Sequence, residues 1–167
     1  MKFTIDLEGI RKEITPHEGE FLTQLVSLVE PEVVVELNLG IGTGTFYLAR
    51  ALQDQKKGVV YSIIPHDGVE ALRGFEVKVI EAVPTEALRG WVMPIDLLFI
   101  DGDHRFKNAR ENFFGWTPWV PTEGIVVFHD YPRRVGVTKV INEIVKPSNL
   151  WEELGQVQKL IAFRRKK

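Results

Sequence analysis

Three short apolar runs in this chain end in the same way, in residues that are polar, glycine-rich or acidic. They are ELNLGIGTGT (36–45), LLFIDGDH (97–104) and IVVFHDY (125–131). Each run has the composition of a buried strand. Because ligands of an open α/β sheet bind at the carboxyl ends of its parallel strands, the three ends predict one site. Its residues suit a nucleotide-like cofactor and a metal ion.

Strand and helix patterns alternate along the chain. Thr15, Pro16 and Glu18 predict the start of a helix with a capping box, and Pro31 predicts its end. A second helix is predicted to begin at Thr45 and to end at Gly58. Further helices are predicted at 84–90, 106–114 and 137–145, and strands at 33–37, 59–64, 75–80, 95–100, 124–128 and, as a pair, within 151–163. The alternation predicts an α/β fold with a doubly wound, mostly parallel sheet and helices on both faces.

Composition limits the kinds of site that the chain can build. Its 167 residues fit one domain, 1–167, in which we interpret residues 1–30 as an N-terminal helical extension. The formal net charge of -2 favours neither nucleic acid nor an acidic membrane as a partner. The absence of cysteine excludes disulfides, thiolate metal sites and cysteine nucleophiles. No secretory signal or membrane-span pattern is found, so we expect a cytoplasmic protein with no membrane partner.

A glycine-rich loop follows the first predicted strand and opens a helix. It contains Gly40, Gly42 and Gly44, with Thr45 directly after them. Glycine allows a tight turn and a close approach of the backbone to a ligand, and the helix beyond it begins with unpaired N–H groups. These features favour a cofactor site. A purely structural turn is the alternative, because a glycine loop alone is weak evidence of function.

Carboxylates and an imidazole follow the other two runs. Asp101 comes directly after one predicted strand, and His129 and Asp130 come directly after the next. If the strands are neighbours, these side chains converge and can hold a divalent cation. An oxygen-rich set suits magnesium or manganese, and a histidine also admits later transition metals. The alternative is that the acids cap strand ends, which is our interpretation of Asp103.

His104 lies three residues after Asp101, at the mouth of the same predicted cleft. A neutral imidazole with a pKa near ~6.5 can take a proton from a hydroxyl, especially one acidified by a metal. An exposed ring beside a helix start is the alternative. Of the other histidines, His66 follows the second strand and is a candidate cofactor contact, whereas His17 is expected to be exposed on a helix.

Three motifs occur in a defined order: IDGDH (100–104), the turn PTEG (121–124) and FHD (128–130). In this order they resemble the class I S-adenosylmethionine-dependent methyltransferases, and within them a small group similar to metal-dependent O-methyltransferases. The turn PHDG (65–68) is also similar, and the resemblance extends over about residues 33–163. It implies a Rossmann-like, seven-stranded sheet whose last strand is antiparallel.

The resemblance also implies a cofactor and a reaction. The cofactor is S-adenosylmethionine, with a divalent cation, magnesium or manganese, as a second candidate. The expected reaction is methyl transfer to a hydroxyl of a small molecule or sugar, and a homodimer is a candidate assembly. The implied cofactor contacts are Asn38, Gly40, Gly42, Gly44, Thr45, His66, Asp67 and Asp101. The implied metal ligands are Asp101, His129 and Asp130, and the implied catalytic residues are His104 and Asp101.

Three positions depart from the family pattern. Asn38 replaces the acid that ends the first strand, Ile64 replaces the acid that binds the ribose hydroxyls, and His129 replaces an acidic metal ligand. Losing the hydrogen bond to the ribose costs about 1.5–3 kcal/mol unless Asp67 replaces it. Glu36 points to the same face of the first strand as Asn38. It can replace the acid missing at Asn38 only if the register of that strand slips. A binding module that has lost catalysis or cofactor affinity is therefore the alternative function, and a nicotinamide-dependent oxidoreductase ranks last.

Overall fold

The computed structural model describes residues 13–38, 42–65, 72 and 74–167. Within those residues the sheet has seven strands: β1 (Val33–Asn38), β2 (Val59–Ile64), β3 (Val77–Glu81), β4 (Leu97–Asp101), β5 (Ile125–Phe128), β6 (Trp151–Val157) and β7 (Leu160–Arg165). Their spatial order is β3-β2-β1-β4-β5-β7-β6. The first five strands pair in parallel, and β7 pairs antiparallel with β5 and β6. The predicted α/β class and the Rossmann-like, mostly parallel sheet are confirmed.

The α-helices alternate with the parallel strands. They are α1 (Pro16–Val29), α2 (Thr43–Gln55), α3 (Pro84–Ala87), α4 (Phe106–Trp116) and α5 (Val135–Val140). A short 3-10 turn continues α3, and a π-helix, Ile141–Val145, continues α5. Within the described residues, no helix combines the length and the apolar composition that a membrane span requires.

The first helix begins as its sequence predicts. Thr15 accepts a hydrogen bond from the backbone N–H of Glu18 at 3.3 Å, and the Glu18 carboxylate accepts one from the backbone N–H of Thr15 at 2.9 Å. The other carboxylate oxygen of Glu18 accepts from the backbone N–H of Lys159 at 2.9 Å. The cap therefore also ties the start of α1 to the turn between β6 and β7. The interpretation of residues 1–30 as an extension stays a prediction, since residues 1–12 lie outside the described part.

The second helix differs from its prediction at both ends. Gly42, not Thr45, is the N-cap, and Thr45 lies at the third helical position, where its Oγ1 accepts from the Gly42 N–H at 3.4 Å and donates to the Glu36 carboxylate at 2.6 Å. The helix ends at Gln55, with Lys56 in the left-handed conformation at φ 57°, before it reaches Gly58. Gly58 itself adopts φ +91°, and a Cβ there would lie 2.4 Å from the Pro31 carbonyl oxygen. The glycine is thus needed for the turn into β2 rather than for the helix end.

Helices cover both faces of the sheet, and each face has its own buried core. On one face α1 and α2 pack over strand side chains that include Phe99 and Val127. On the other face α4 and α5 pack over the alternate side chains. Because side chains alternate along a strand, the residues two positions after Phe99 and Val127 point to the α1–α2 side. These residues are Asp101 and His129, so the fold brings both to the same face of the sheet.

Candidate active site

The carboxyl ends of β1, β4 and β5 meet at one edge of the sheet. Asn38 at the end of β1 pairs with Asp101 at the end of β4. The backbone N–H of His129 donates to the Ile100 carbonyl at 3.1 Å, which continues the pairing of β5 with β4 by one residue. The predicted convergence of these strand ends is therefore what the structure shows.

Asp101, His129 and Asp130 form a compact cluster at this edge. His129 Nδ1 donates to Asp101 Oδ1 at 2.6 Å and lies 3.6 Å from Asp130 Oδ2. One ligand atom from each residue lies within 4.8 Å of the others. The side chains of His129 and Asp101 are each 4% exposed. The three predicted metal ligands are thus close enough to share a small cation.

The electrostatics of the cluster follow from its burial. Burial opposes protonation of His129, but the hydrogen bond that it donates to Asp101 and the charges of Asp101 and Asp130 outweigh it, and together they raise the pKa of the imidazole. Two further atoms, Asp101 Oδ2 and His129 Nε2, are fully buried and have no hydrogen-bond partner in the described part of the chain. Buried polar atoms are normally paired, so these two fit the ligand atoms of a cation site.

Asp130 connects this cluster with His104. Its backbone adopts φ 62°, in the left-handed region that aspartate tolerates better than most side chains. In this conformation Asp130 Oδ2 lies 3.2 Å from His104 Nε2 as well as 3.6 Å from His129 Nδ1. The His104 side chain is 31% exposed, whereas Asp130 is 13% exposed. His104 is therefore the member of the group that a ligand from solvent can reach.

The loop that carries His104 is held by Asp103. The backbone N–H of Arg105 donates to Asp103 Oδ1 at 2.9 Å, and Asn108 Nδ2 donates to Oδ2 at 2.7 Å. The Arg105 guanidinium also pairs with this carboxylate. The side-chain hydrogen bond with Arg105 is the main cause that lowers the pKa of Asp103 to about 2. Asp103 therefore caps the turn after β4, as its sequence position predicts.

Gly136 packs directly against the same loop, and sequence patterns did not identify it. A Cβ at Gly136 would lie 2.2 Å from the His104 carbonyl oxygen and 2.4 Å from the Phe106 backbone nitrogen. The start of α5 reaches His104 this closely only because residue 136 has no side chain. No local pattern marks this contact, since the two segments are about thirty residues apart.

The glycine loop is supported from beneath by the buried carboxylate of Glu36. Thr45 Oγ1 and Ser62 Oγ donate to Glu36 Oε2 at 2.6 and 2.9 Å, and Asn38 Nδ2 donates to Oε1 at 3.3 Å. Burial raises the pKa of Glu36 to about 7, although the two hydroxyl donors act against it. A Cβ on Gly44 would lie 2.9 Å from a Phe99 ring carbon and 3.3 Å from Glu36 Oε1. The loop therefore needs glycine here to fit over its support.

The hydrogen bonds and burial of these residues bear on several predictions about the cofactor site. The register of β1 does not slip, so Glu36 stays beneath the loop and does not replace the acid missing at Asn38. Thr45 is fully buried, and its hydroxyl contacts Glu36. Ile64 is 1% exposed in a small apolar cluster and offers no hydrogen-bond acceptor. Gly40, His66 and Asp67 lie outside the described residues, so their predicted cofactor contacts stay predictions.

A cavity of about 280 Å³ lies at the carboxyl ends of the parallel strands, on the side of α4. The described residues that line it are Asn38, Pro65, Val83, Pro84, Thr85, Gly102, Asp103, Arg105, Asn108, Glu111 and Asn112. Of these, Asn108 and Asn112 were not anticipated. They lie four residues apart, on one side of α4, and Asn112 is 6% exposed. A pair of amides at helical spacing beside an apolar stripe was the signal that could have identified them.

Comparisons with known proteins relate the chain to enzymes of one class. A family model described as a methyltransferase domain matches residues 37–131. A curated relative, the catechol O-methyltransferase of Niastella koreensis, is 25% identical over 142 residues. That alignment covers 78% of this chain and 62% of the relative, so the chain spans less than two thirds of the relative's length.

Solved structures share the arrangement of strands and helices. An O-methyltransferase from Bacillus cereus, solved in complex with S-adenosylhomocysteine, has a TM-score of 0.72 and 18% identity, with 91% of this chain and 82% of that chain covered. A methyltransferase from Geobacter sulfurreducens has a TM-score of 0.74 and 20% identity, with 92% of this chain and 80% of that chain covered. At these identities the similarity shows a common fold.

Proposed function

The chain belongs to the methyltransferase domain family, and on this basis we propose that it is an S-adenosylmethionine-dependent methyltransferase acting on a hydroxyl group. The match extends from the end of β1 to the turn after β5, which is the region that carries the glycine loop and the acid–histidine cluster. The family predicted from the motifs is therefore confirmed, and S-adenosylmethionine is its cofactor.

The cofactor supplies a methyl group on a positively charged sulfur. Gly44 lets the start of α2 pack closely on Phe99 and Glu36, and Asn38 lines the cavity of about 280 Å³. Asn108 and Asn112 add amide groups to the wall of that cavity. An amide can both donate and accept hydrogen bonds, which suits a nucleoside with both kinds of group. Support for cofactor binding thus comes from polar wall residues rather than from an acid at the end of β2.

A divalent cation fits the cluster of Asp101, His129 and Asp130. The two carboxylates supply two negative charges, and the unpaired buried atoms Asp101 Oδ2 and His129 Nε2 supply donor atoms. When bound, such an ion lowers the pKa of a hydroxyl group nearby. The residues present are therefore consistent with a metal-dependent reaction.

His104 is placed to accept the proton of the methyl acceptor. Its ring is partly exposed, and its Nε2 lies 3.2 Å from Asp130 Oδ2. Because Nε2 donates to Asp130, the other ring nitrogen, Nδ1, would accept the hydroxyl proton during methyl transfer, and Asp130 would stabilise the imidazolium that forms. Orientation of the acceptor and electrostatics account for most of the rate in such a transfer. The cluster of two imidazoles and two carboxylates at the glycine-loop edge is the observation that carries this proposal.

The acceptor is proposed as a small molecule or a sugar with a free hydroxyl. The relative from Niastella koreensis is named for catechol, which makes catechol the first acceptor to test. A cytoplasmic location and a homodimer also stay proposals, since no observation above bears on them.

Calorimetric titration with S-adenosylhomocysteine, followed by transfer of a labelled methyl group from S-adenosylmethionine to catechol or a methyl glycoside, tests the function. We expect binding and transfer by the wild type. His104→Asn should bind the cofactor product with unchanged affinity but lower kcat by about 10²–10⁴-fold, the usual contribution of a general base. His17→Asn, at an exposed position on α1, is the matched control and should change neither.

The alternative is a methyltransferase-like binding module. The buried, apolar Ile64 at the end of β2 is the observation that favours it, because the cavity lacks an acid at this position. Absence of heat at millimolar S-adenosylhomocysteine with a folded sample would support a module that has lost the cofactor. Binding without transfer to any acceptor in the panel would support a module that has lost catalysis.

A further inference from the structure

The cluster at the sheet edge contains a nitrogen donor, whereas a hard cation prefers oxygen ligands. We propose that Asp101, His129 and Asp130 select a first-row transition-metal ion of the iron-to-zinc series over magnesium, and that His129 is the residue that sets this preference. The inference rests on the proposed function in treating the cluster as a cation site. It goes beyond the proposed function by naming the class of ion and the side chain that determines the preference for that class.

His129 brings an unpaired nitrogen to the cluster. His129 is 4% exposed, and its Nε2 has no hydrogen-bond partner among the residues described. Solvent therefore does not satisfy this nitrogen. Magnesium takes oxygen ligands and keeps several waters, whereas imidazole nitrogen suits iron, cobalt, nickel, copper and zinc. Only an ion that accepts nitrogen uses the donor that His129 brings to the cluster.

The positions of the donors are set by the sheet. Asp101 is held by its pairing with Asn38, and the backbone of His129 is bound to the Ile100 carbonyl. Neither side chain can turn away without leaving a buried polar group unpaired. The imidazole is consequently a permanent part of the donor set. An ion that does not bind nitrogen cannot exchange this imidazole for a water ligand.

The charge of the cluster and the groups around it are consistent with a divalent ion that binds nitrogen. Asp101 and Asp130 carry two negative charges, which a divalent ion balances when His129 is neutral. The charge of Lys159 acts against protonation of His129, and its ammonium group donates to the Glu13 carbonyl at 3.2 Å. A second imidazole, that of His104, lies 3.2 Å from Asp130. The cluster is thus richer in nitrogen than an all-carboxylate site.

Metal binding to the full chain, after removal of metals with a chelator, tests the inference directly. Calorimetry gives Kd for Mg²⁺ and Mn²⁺, and the visible absorption of Co²⁺ reports its binding independently of activity. We expect the wild type to bind Co²⁺ more tightly than Mg²⁺ by at least about tenfold, as its nitrogen donor requires. In His129→Asp, which makes the donor set all carboxylate, we expect this ratio to fall by at least about tenfold.

Two variants separate selectivity from simple loss of the site. Asp130→Asn should weaken Co²⁺ and Mg²⁺ together and leave their ratio within about threefold of wild type, because it removes charge and keeps the nitrogen. His17→Asn should change neither affinity. If His129→Asp does not fold, as judged by circular dichroism, the wild-type ratio and His129→Asn decide the matter.

Equal affinity of the wild type for Mg²⁺ and Co²⁺, a ratio unchanged in a folded His129 variant, or no binding of either ion would each overturn the inference. Titration of the same samples with S-adenosylhomocysteine keeps this outcome separate from the proposed function. A chain that binds the cofactor product but shows no preference between ions retains its methyltransferase assignment and loses only the metal selectivity.

Discussion

Glu36 is a carboxyl group with no access to solvent, held by three donors from two strands and a helix. Thr45, Ser62 and Asn38 all donate to it, so it accepts hydrogen bonds on both oxygens. These bonds favour its ionised form, and burial opposes that form more strongly, which leaves the pKa of Glu36 at about 7. At the residue scale, the support of the glycine loop therefore depends on pH.

Glu36→Gln should reveal this dependence as a change in stability with pH. The unfolded chain releases the Glu36 proton near pH 4.5, but the folded chain keeps it until about pH 7. The folded state thus binds more protons between these values, and the wild type loses stability as pH rises through the interval, by up to about 3 kcal/mol. The glutamine variant lacks this loss. Denaturant unfolding at pH 5, 6, 7 and 8 measures the difference between the two proteins.

The difference in unfolding free energy, wild type minus Glu36→Gln, should fall from pH 5 to pH 8. Subtraction removes the contributions of the other titrating groups, which both proteins share. Glu20→Gln, at an exposed position on α1, is the control and should show no such trend. A constant difference for Glu36→Gln across this range would refute the assignment of the raised pKa.

At the scale of elements, the site depends on how closely α5 approaches the loop between β4 and α4. Gly136 is the contact point, and the atoms it would strike belong to the backbone of His104 and Phe106. Backbone atoms cannot rotate aside as a side chain can. The short distance between α5 and the loop therefore depends on glycine, which has no side chain, at position 136.

Gly136→Ala should destabilise the protein despite its favourable helix propensity. We expect a loss of about 1–3 kcal/mol in the free energy of unfolding, because the new methyl group forces the loop and helix apart. Gly115→Ala in α4 is the matched control. Its Cβ would meet only the terminal Leu88 Cδ2 at 2.8 Å, a side-chain end that can move, so we expect a loss below about 1 kcal/mol. Urea unfolding measures both, and equal losses would contradict the explanation.

The elements themselves were largely predictable. The apolar runs before Asp101 and His129 have the length and composition of buried strands, and Thr15 with Glu18 marks a helix start through neighbouring residues. The start of α2 was predicted three residues too late, since Gly42 is the N-cap and Thr45 lies at the third helical position. Thr45 accepts from the Gly42 N–H and also donates to Glu36, a long-range bond that no local pattern marks.

At the scale of the whole molecule, the sheet order gathers the ends of β1, β4 and β5, which lie at residues 38, 101 and 128 of the sequence. The central positions of β1 and β4 place Asn38 beside Asp101, and the cavity lies at the carboxyl ends of these strands. A ligand that fills this cavity touches several elements at once. Its binding should therefore stabilise the entire fold and not only the loop.

S-adenosylhomocysteine at a hundred times its Kd should raise the melting temperature. Binding to the folded state alone contributes about 2.7 kcal/mol at this excess. For a chain of this size that corresponds to about 5–10 °C. NAD⁺ at the same concentration is the control ligand and should give no shift, which also tests the nicotinamide-dependent alternative. A shift with NAD⁺ and none with S-adenosylhomocysteine would reverse the order of the two hypotheses.

The sequence by itself determined the class of fold, the strand ends and the residues gathered there, because strand composition, helix caps and turn chemistry act between near neighbours along the chain. Asp101, His129 and Asp130 were recognisable for this reason, and the structure brings them together. Only the tertiary structure decided that Glu36 lies beneath the loop, that Gly136 touches the His104 segment and that Asn108 and Asn112 line the cavity. These contacts depend on how separate helices and strands pack, and no local periodicity encodes the distance between them.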